Sequence, residues 1–315
     1  MSCASCHHPD KAFTDNLPKS KTNVPGKFTK RNSPTLIDAG YSSKFFWDMR
    51  VSDLERQVGH VISDSLEFNL NFVAIIDRLH QSKNYVKLFD EIYQQTSAKP
   101  INDRSISNAI AAYVNSLKSF NSPFDSYVRG ENNNLNEGAK RGFNLFMGKA
   151  NCGTCHFAPV FNGSVPPFYM DAESEVLGVM VNMDTIQPML LDNDPGRSAN
   201  GISTEARPHF NNSFKTVTVR NAGLTFPYMH HGGLKTLDEV MDFYNNGGGV
   251  GMGLEVENQT LSPDSLGLSA VEMKDIISFL HSLTDTTGLT RPVNNLPIFE
   301  GQPYWNQRNA KPVYD

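Results

Sequence analysis

One five-residue pattern occurs twice and uses every cysteine in the chain: Cys3-Ala-Ser-Cys6-His7 and Cys152-Gly-Thr-Cys155-His156. Cys-x-x-Cys-His is the attachment site of c-type haem. The two thiols add across the porphyrin vinyl groups as thioethers, and the histidine turns its imidazole onto the iron. With 4 Cys and 9 His in 315 residues, one chance occurrence has odds of roughly one in seven hundred. Two occurrences are far rarer. A disulfide within either pair would close a tight ring, and such bridges belong to redox domains with a βαβ pattern, which this sequence lacks. A shared Cys₄ zinc site would leave both histidines unexplained and set its cysteine pairs far beyond the usual short spacing. The reading is two covalently bound c-type haems.

A length of 315 residues suits two domains of ordinary size. The formal charge of −5 becomes more negative once each haem adds two propionates. That balance argues against a nucleic-acid role, and a charged protein partner should present a positive patch. No stretch approaches the ~18 apolar residues that span a bilayer. Covalent c-haem is assembled outside the cytoplasm, so a leader is expected, and none precedes the first motif. The chain is expected to be truncated at Met1 and the protein to be periplasmic.

Helical signals dominate, which gives a mainly α fold: two cytochrome c-like haem domains with long irregular loops. Ser52-x-x-Glu55, Thr236-x-x-Glu239 and Ser269-x-x-Glu272 have capping-box spacing ahead of apolar-periodic runs. Ile106, Ile110, Tyr113 and Leu117 predict one core-facing helix stripe, and segments 69–80, 83–94 and 136–147 read similarly. Asn245-Asn246 followed by three glycines ends the helix that begins at Thr236. The Pro-rich stretch 157–213 predicts a long loop covering a site. The expected division is an N-terminal haem domain over 1–130, a C-terminal haem domain over 131–290 and an irregular tail over 291–315.

The residues around the motifs resemble the bacterial di-haem cytochrome c peroxidase family, including its MauG-type branch. After the first motif come Arg31-Asn32-Ser33-Pro34-Thr35, Phe46-Trp47-Asp48-x-Arg50 and Asp53-Leu54-Glu55-x-Gln57. Before the second stand Asn121-Ser122-Pro123-Phe124-Asp125 and Ala139-Lys140-Arg141-Gly142. Val219-Arg220-Asn221, Pro227-Tyr228-Met229-His230 and Thr236-Leu237-Asp238-Glu239 follow it. The blocks keep the family's order and spacing over almost the whole chain. Departures are the missing helix before Cys3 and His231, where the family usually has Asp.

The resemblance implies a peroxidatic N-terminal haem and an electron-transfer C-terminal haem. It makes Gln57 and Glu67 the polar pair on the distal side of the first haem, with Glu67 as acid–base. Trp47 becomes the relay between the haems. Asn32 and the carbonyls of Thr225 and Pro227 become an inter-haem calcium site, a set suited to a hard cation. Without the resemblance, Glu67 reads as a solvated helix-end carboxylate, Trp47 as core and Asn32 as a turn residue.

The open ligand positions follow from the remaining side chains. Many family peroxidases carry a capping histidine in the loop after the first motif; here residues 14–30 contain none. His8 adjoins His7, and His60 reads as surface or second-layer, so the first iron is expected to be open, as in the MauG-type branch. For the second iron, the resemblance places Tyr244 at the ligand position, where peroxidases have Met and MauG-type enzymes have Tyr. A phenolate would favour ferric or higher states. Met241 reads as core, Met229 is a second competitor, and His230 could hydrogen-bond near the second haem. His80, His209 and His281 read as surface or core.

The implied activity is reduction of hydrogen peroxide to water at the first haem. Electrons would come from a small cytochrome c or copper protein through the second haem and Trp47, with a homodimer possible. Two alternatives are a MauG-type oxidase that removes electrons over a distance from a protein or organic substrate, and a di-haem electron carrier with two six-coordinate irons.

Overall fold

The structure, a computed structural model, describes residues 2–181, 189–289 and 296–306. Each haem motif opens on one 3-10 turn, Cys3–Ser5 and Cys152–Thr154. Between them lie helices α1 (Leu54–Ser63), α2 (Phe72–His80), α3 (Lys83–Tyr93), α4 (Asp103–Ser116), α5 (Pro123–Val128) and α6 (Glu137–Met147). After the second motif come strands β1 (Ser174–Val176) and β2 (Ser213–Lys215), then α7 (Leu237–Asn245), α8 (Gly248–Gly251) and α9 (Ala270–Ser282). The chain is mainly helical, as the sequence predicts.

Side-chain caps start these helices by satisfying first-turn N–H groups. Asn71, Ser82 and Asn136 accept from Ala74, Tyr85 and Ala139, while Ser269 and Glu272 close a full capping box at α9. Thr236 caps α7 as expected, but the Glu239 carboxylate reaches back one residue further, to the Lys235 amide. At α1 the cap is Asp53, not Ser52: its carboxylate accepts the Arg56 N–H at 2.8 Å.

The largest core forms where α6 crosses α9, and both helices lie on the aromatic cluster of Phe124, Phe146, Phe161 and Phe279. Ring centroids there are 5.1–6.0 Å apart. Gly142 permits the crossing, since a Cβ on it would strike the Asp275 backbone. Arg141 clamps the same point with two bonds to the Asp275 carboxylate, at 2.7 and 2.8 Å. A deeper ion pair joins α5 to the segment before α7. Arg220, 1% exposed, holds Asp125 through two N–H donors at 2.8 and 2.9 Å and also donates to the Ser119 and Pro159 carbonyls.

Three expectations are corrected. On α4 the buried stripe runs through Ile106, Ala111 and Val114 and continues to Leu117 at the C-cap, while Tyr113 is 51% exposed. The glycines after Asn246 do not only end α7; Gly247, at φ 80°, turns the chain directly into α8. The long 157–213 loop contains β1 and leads into β2, the two paired antiparallel with Glu175 opposite Phe214, and its residues 182–188 lie outside the described part. Of the tail, residues 296–306 are described. They include a 3-10 turn over Pro303–Asn306 and dock on the α2–α3 hairpin. Phe299 is buried 5.6 Å from the Tyr85 ring, and Arg78 lies over Trp305. No helix among the described residues is long and apolar enough to cross a membrane.

Candidate functional site

Both motifs adopt the same local geometry. The 3-10 turn ends at the second cysteine, and the next imidazole swings back under the loop that follows. His7 Nδ1 lies 2.9 Å from the Phe13 carbonyl and His156 Nδ1 3.3 Å from the Phe161 carbonyl. The carbonyls of Pro34 and Val217 also act on the two rings. A carbonyl can only accept, so each Nδ1 carries the proton and each Nε2 is left as a lone pair. This is the arrangement that prepares a histidine as a metal ligand. Neither Nε2 makes a hydrogen bond among the described residues. Burial holds both imidazoles neutral, lowering the pKa of His7 and bringing that of His156 down to about 4.

The thiols discriminate between chemistries. Burial raises all four, Cys152 to about 12 and Cys155 to about 11. A Cys-x-x-Cys redox couple needs the opposite shift, toward a stable thiolate, and none of the four cysteines is in a disulfide. Neutral sulfurs with a lone-pair imidazole beside them fit thioether attachment of a porphyrin.

At the first motif, the turn after α1 places Glu67 where its charge raises the thiols of both Cys3 and Cys6. Burial, reinforced by Asp64, pushes its carboxyl up to about 7, with Arg50 opposing. Arg50 is held by the Asp48 carboxylate at 2.9 Å and packs flat on Phe46. Gln57, on α1, is half-buried. Tyr113 also belongs here, because the Cys3 sulfur acts on its phenol. Its exposure on α4 marks a face turned toward the motif instead of the core. The sequence pattern alone does not separate those two faces.

At the second motif, burial raises the Tyr244 phenol strongly, and Cys152, Cys155 and Glu175 act on it in the same direction. The last turn of α7 thus carries this phenol to the cysteines. Met241 is 4% exposed within the main aromatic core. Met229 packs with Tyr244 against Phe243 and Leu234. Glu173 and Glu175 form an acidic edge beside Cys155, all three ligand atoms lying within 4.8 Å of one another.

Trp47 Nε1 donates to the Asn32 carbonyl at 2.9 Å. Its ring stands edge-on to His230 at 6.4 Å. His230, which the sequence left without a firm role, is 3% exposed, stacks on Phe214 at 3.6 Å and bonds the Asp192 carboxylate at 3.0 Å. That bond brings Asp192 down to about 2. Arg31 bridges Asp48 and Asp194 beside it. His231 is buried with Nε2 on the Met180 carbonyl.

The Asn32 amide donates to the Leu17 carbonyl, and Asn16 donates to the carbonyls of Leu224 and Phe226. The remaining oxygens, Asn32 Oδ1 and the carbonyls of Thr225 and Pro227, accept no hydrogen bond among the described residues. Uncharged oxygens of this kind are among the donors a hard cation takes. His60, His80, His209 and His281 are exposed.

Two half-buried, lone-pair histidines, each following a pair of neutral thiols in a mainly helical frame, define a c-type di-haem oxidoreductase. The sequence profile described as di-haem cytochrome c peroxidase matches residues 1–133. The chain is 32% identical to the cytochrome-c peroxidase IdrP2 of Denitromonas iodatirespirans, over 90% of this chain and 76% of that one. It is 29% identical to the methylamine utilization protein MauG of Methylorubrum extorquens, over 93% and 75% of the two chains. The fold superposes on a MauG-like protein associated with microbial copper homeostasis with a TM-score of 0.76 at 26% identity, covering 93% and 86% of the chains. The diheme peroxidase BthA of Burkholderia thailandensis, at 20% identity and a TM-score of 0.69, shares the fold. The chain belongs to the di-haem cytochrome c peroxidase family, which implies two c-type haems.

Proposed function

We propose that this protein reduces hydrogen peroxide to water at its first motif, taking electrons that enter at the second from a small cytochrome c or copper protein in the periplasm. The observation that carries this reading is the Glu67 carboxyl, poised at about 7 beside Cys3 and Cys6. A general acid–base works best when its pKa lies near the operating pH. The haem iron, when bound, supplies the Lewis-acid and redox chemistry for breaking the O–O bond.

The residues divide the remaining work. His7 and His156 would hold the irons through Nε2, with Cys3, Cys6, Cys152 and Cys155 as thioethers. Glu67 as carboxylate would take the proton from one peroxide oxygen and return it to the other, which leaves as water. Gln57 would orient the peroxide from α1. Trp47, tied to Asn32, would relay electrons between the two halves, which we divide near residue 130. Asn32 Oδ1 and the carbonyls of Thr225 and Pro227 would hold a calcium ion and so pin the first half to the segment before α7.

A second reading, a MauG-type oxidase of a protein or organic substrate, is favoured by Tyr244 at the second cysteines. An anionic phenolate on that iron would lower its potential and stabilise oxidised states. Turnover of peroxide with a reduced small cytochrome c tests the peroxidase. Rapid turnover that Glu67→Gln abolishes supports it. Peroxide consumption that needs an organic or protein reductant, with no cytochrome oxidised, replaces it with the oxidase.

A further inference from the structure

Lys215, in β2, is a buried cation without an acid. Its Nζ donates to Ser42 Oγ at 3.2 Å and to the Lys44 carbonyl at 3.1 Å, both neutral, beside the Phe45 ring. The residue as a whole is half-buried, but the ammonium end is enclosed, and burial alone brings it down to about 8. Among the described residues no carboxylate pairs with it. An ammonium has three donors, and the two acceptors here leave one unused. Burying such a charge without an anion is costly.

Its place on the strand indicates which anion. The Lys215 amide donates to the Trp47 carbonyl at 2.8 Å, and two residues on, the Val217 carbonyl acts on the His156 ring. Across the sheet, Lys215 pairs with Ser174, flanked by the Glu173 and Glu175 that line Cys155. The strand therefore runs from the Trp47 backbone to the second motif. We propose that Lys215 is the counter-charge for a carboxylate the polypeptide does not supply: a propionate of the porphyrin carried by the second motif. This rests on the di-haem reading and assigns the chain's own partner to one haem edge.

The test is a spectroelectrochemical titration of the haem-loaded protein as wild type, Lys215→Met, Lys215→Gln and Lys215→Arg. Removing the cation leaves the propionate charge unbalanced, which favours the ferric state. A unit charge about 10 Å from iron at an effective dielectric of about 20 is worth roughly tenfold. The Met and Gln variants should shift the second haem's ferric–ferrous equilibrium roughly tenfold toward ferric, and Arg should leave it near wild type. Gln, which can still hydrogen-bond, keeps the test open if Met impairs folding. An unchanged second-haem potential in Met and Gln, a shift confined to the first haem, or an Arg variant displaced as far as Met would overturn the proposal. So would a wild-type potential that moves with added acetate, which would assign Lys215 to a soluble carboxylate. A pyridine haemochrome count below two haems per wild-type chain would sink the di-haem reading first, and the proposal with it.

Discussion

Replacing Glu67 by Gln separates the acid–base role from every bland alternative. The wild-type carboxyl sits at about 7, so at pH 5 only about 1% is carboxylate, against about three quarters for an ordinary glutamate. If the carboxylate takes the first proton, peroxide cleavage should rise about a hundredfold from pH 5 to a plateau above pH 8. Glu67→Gln should fall 10²–10⁴-fold below that plateau, about 2.7–5.5 kcal/mol of barrier, and lose the pH dependence. Asp64 is the second cause of the shift and Arg50 the opposing one. Asp64→Asn should therefore move the inflection to lower pH and Arg50→Gln to higher pH. The assay is stopped-flow mixing of the haem-loaded protein with peroxide. A wild-type rate flat from pH 5 to 8, or a Gln variant as fast as wild type, would refute the assignment.

Linkage gives an independent check on the same residue. A carboxyl raised in the fold favours its protonated form there, so its contribution to stability is full below its unfolded value and is lost as pH rises through about 7. Thermal melts should show Glu67→Gln gaining roughly 3 kcal/mol over wild type at pH 9 and little at pH 4. Tyr244→Met should raise the second haem's midpoint potential, because a thioether favours ferrous iron; a redox titration unchanged by the substitution would remove Tyr244 from that iron. Arg220→Met leaves Asp125 buried and unpaired and should cost about 3–5 kcal/mol in denaturant unfolding. Gly142→Ala should cost about 1–3 kcal/mol by forcing α6 off the Asp275 backbone, and a melt unchanged by that methyl would contradict the packing described.

How much could be read from residues alone depended on the range of the interaction. The haem motifs were legible because covalent attachment demands fixed residues at fixed spacing. Helices α2, α3 and α6 were legible because apolar period and caps are local. At α1, Ser52 and Asp53 are both good caps, and adjacent candidates differ only in which one the backbone extends. Tyr113 misled for a different reason: a helix face turned to a haem motif and one turned to a core carry the same period. The His230–Asp192 and Arg220–Asp125 pairs span 38 and 95 residues and left no local trace. Glu67 was found by its resemblance; its raised carboxyl comes from enclosure and from Asp64, neither of which spacing reports.

The Trp47 indole hydrogen faces an amide oxygen, the Asn32 carbonyl. Unlike a carboxylate or an imidazole, an amide oxygen is far too weak a base to keep that hydrogen. An electron leaving the ring would therefore leave a protonated cation radical, and none of the step's driving force would depend on acidity. Charge would pass between the halves of the molecule without hydrogen following it. Flash-triggered transfer rates measured in light and heavy water should then coincide; a pronounced solvent isotope effect would point to a proton acceptor other than this carbonyl.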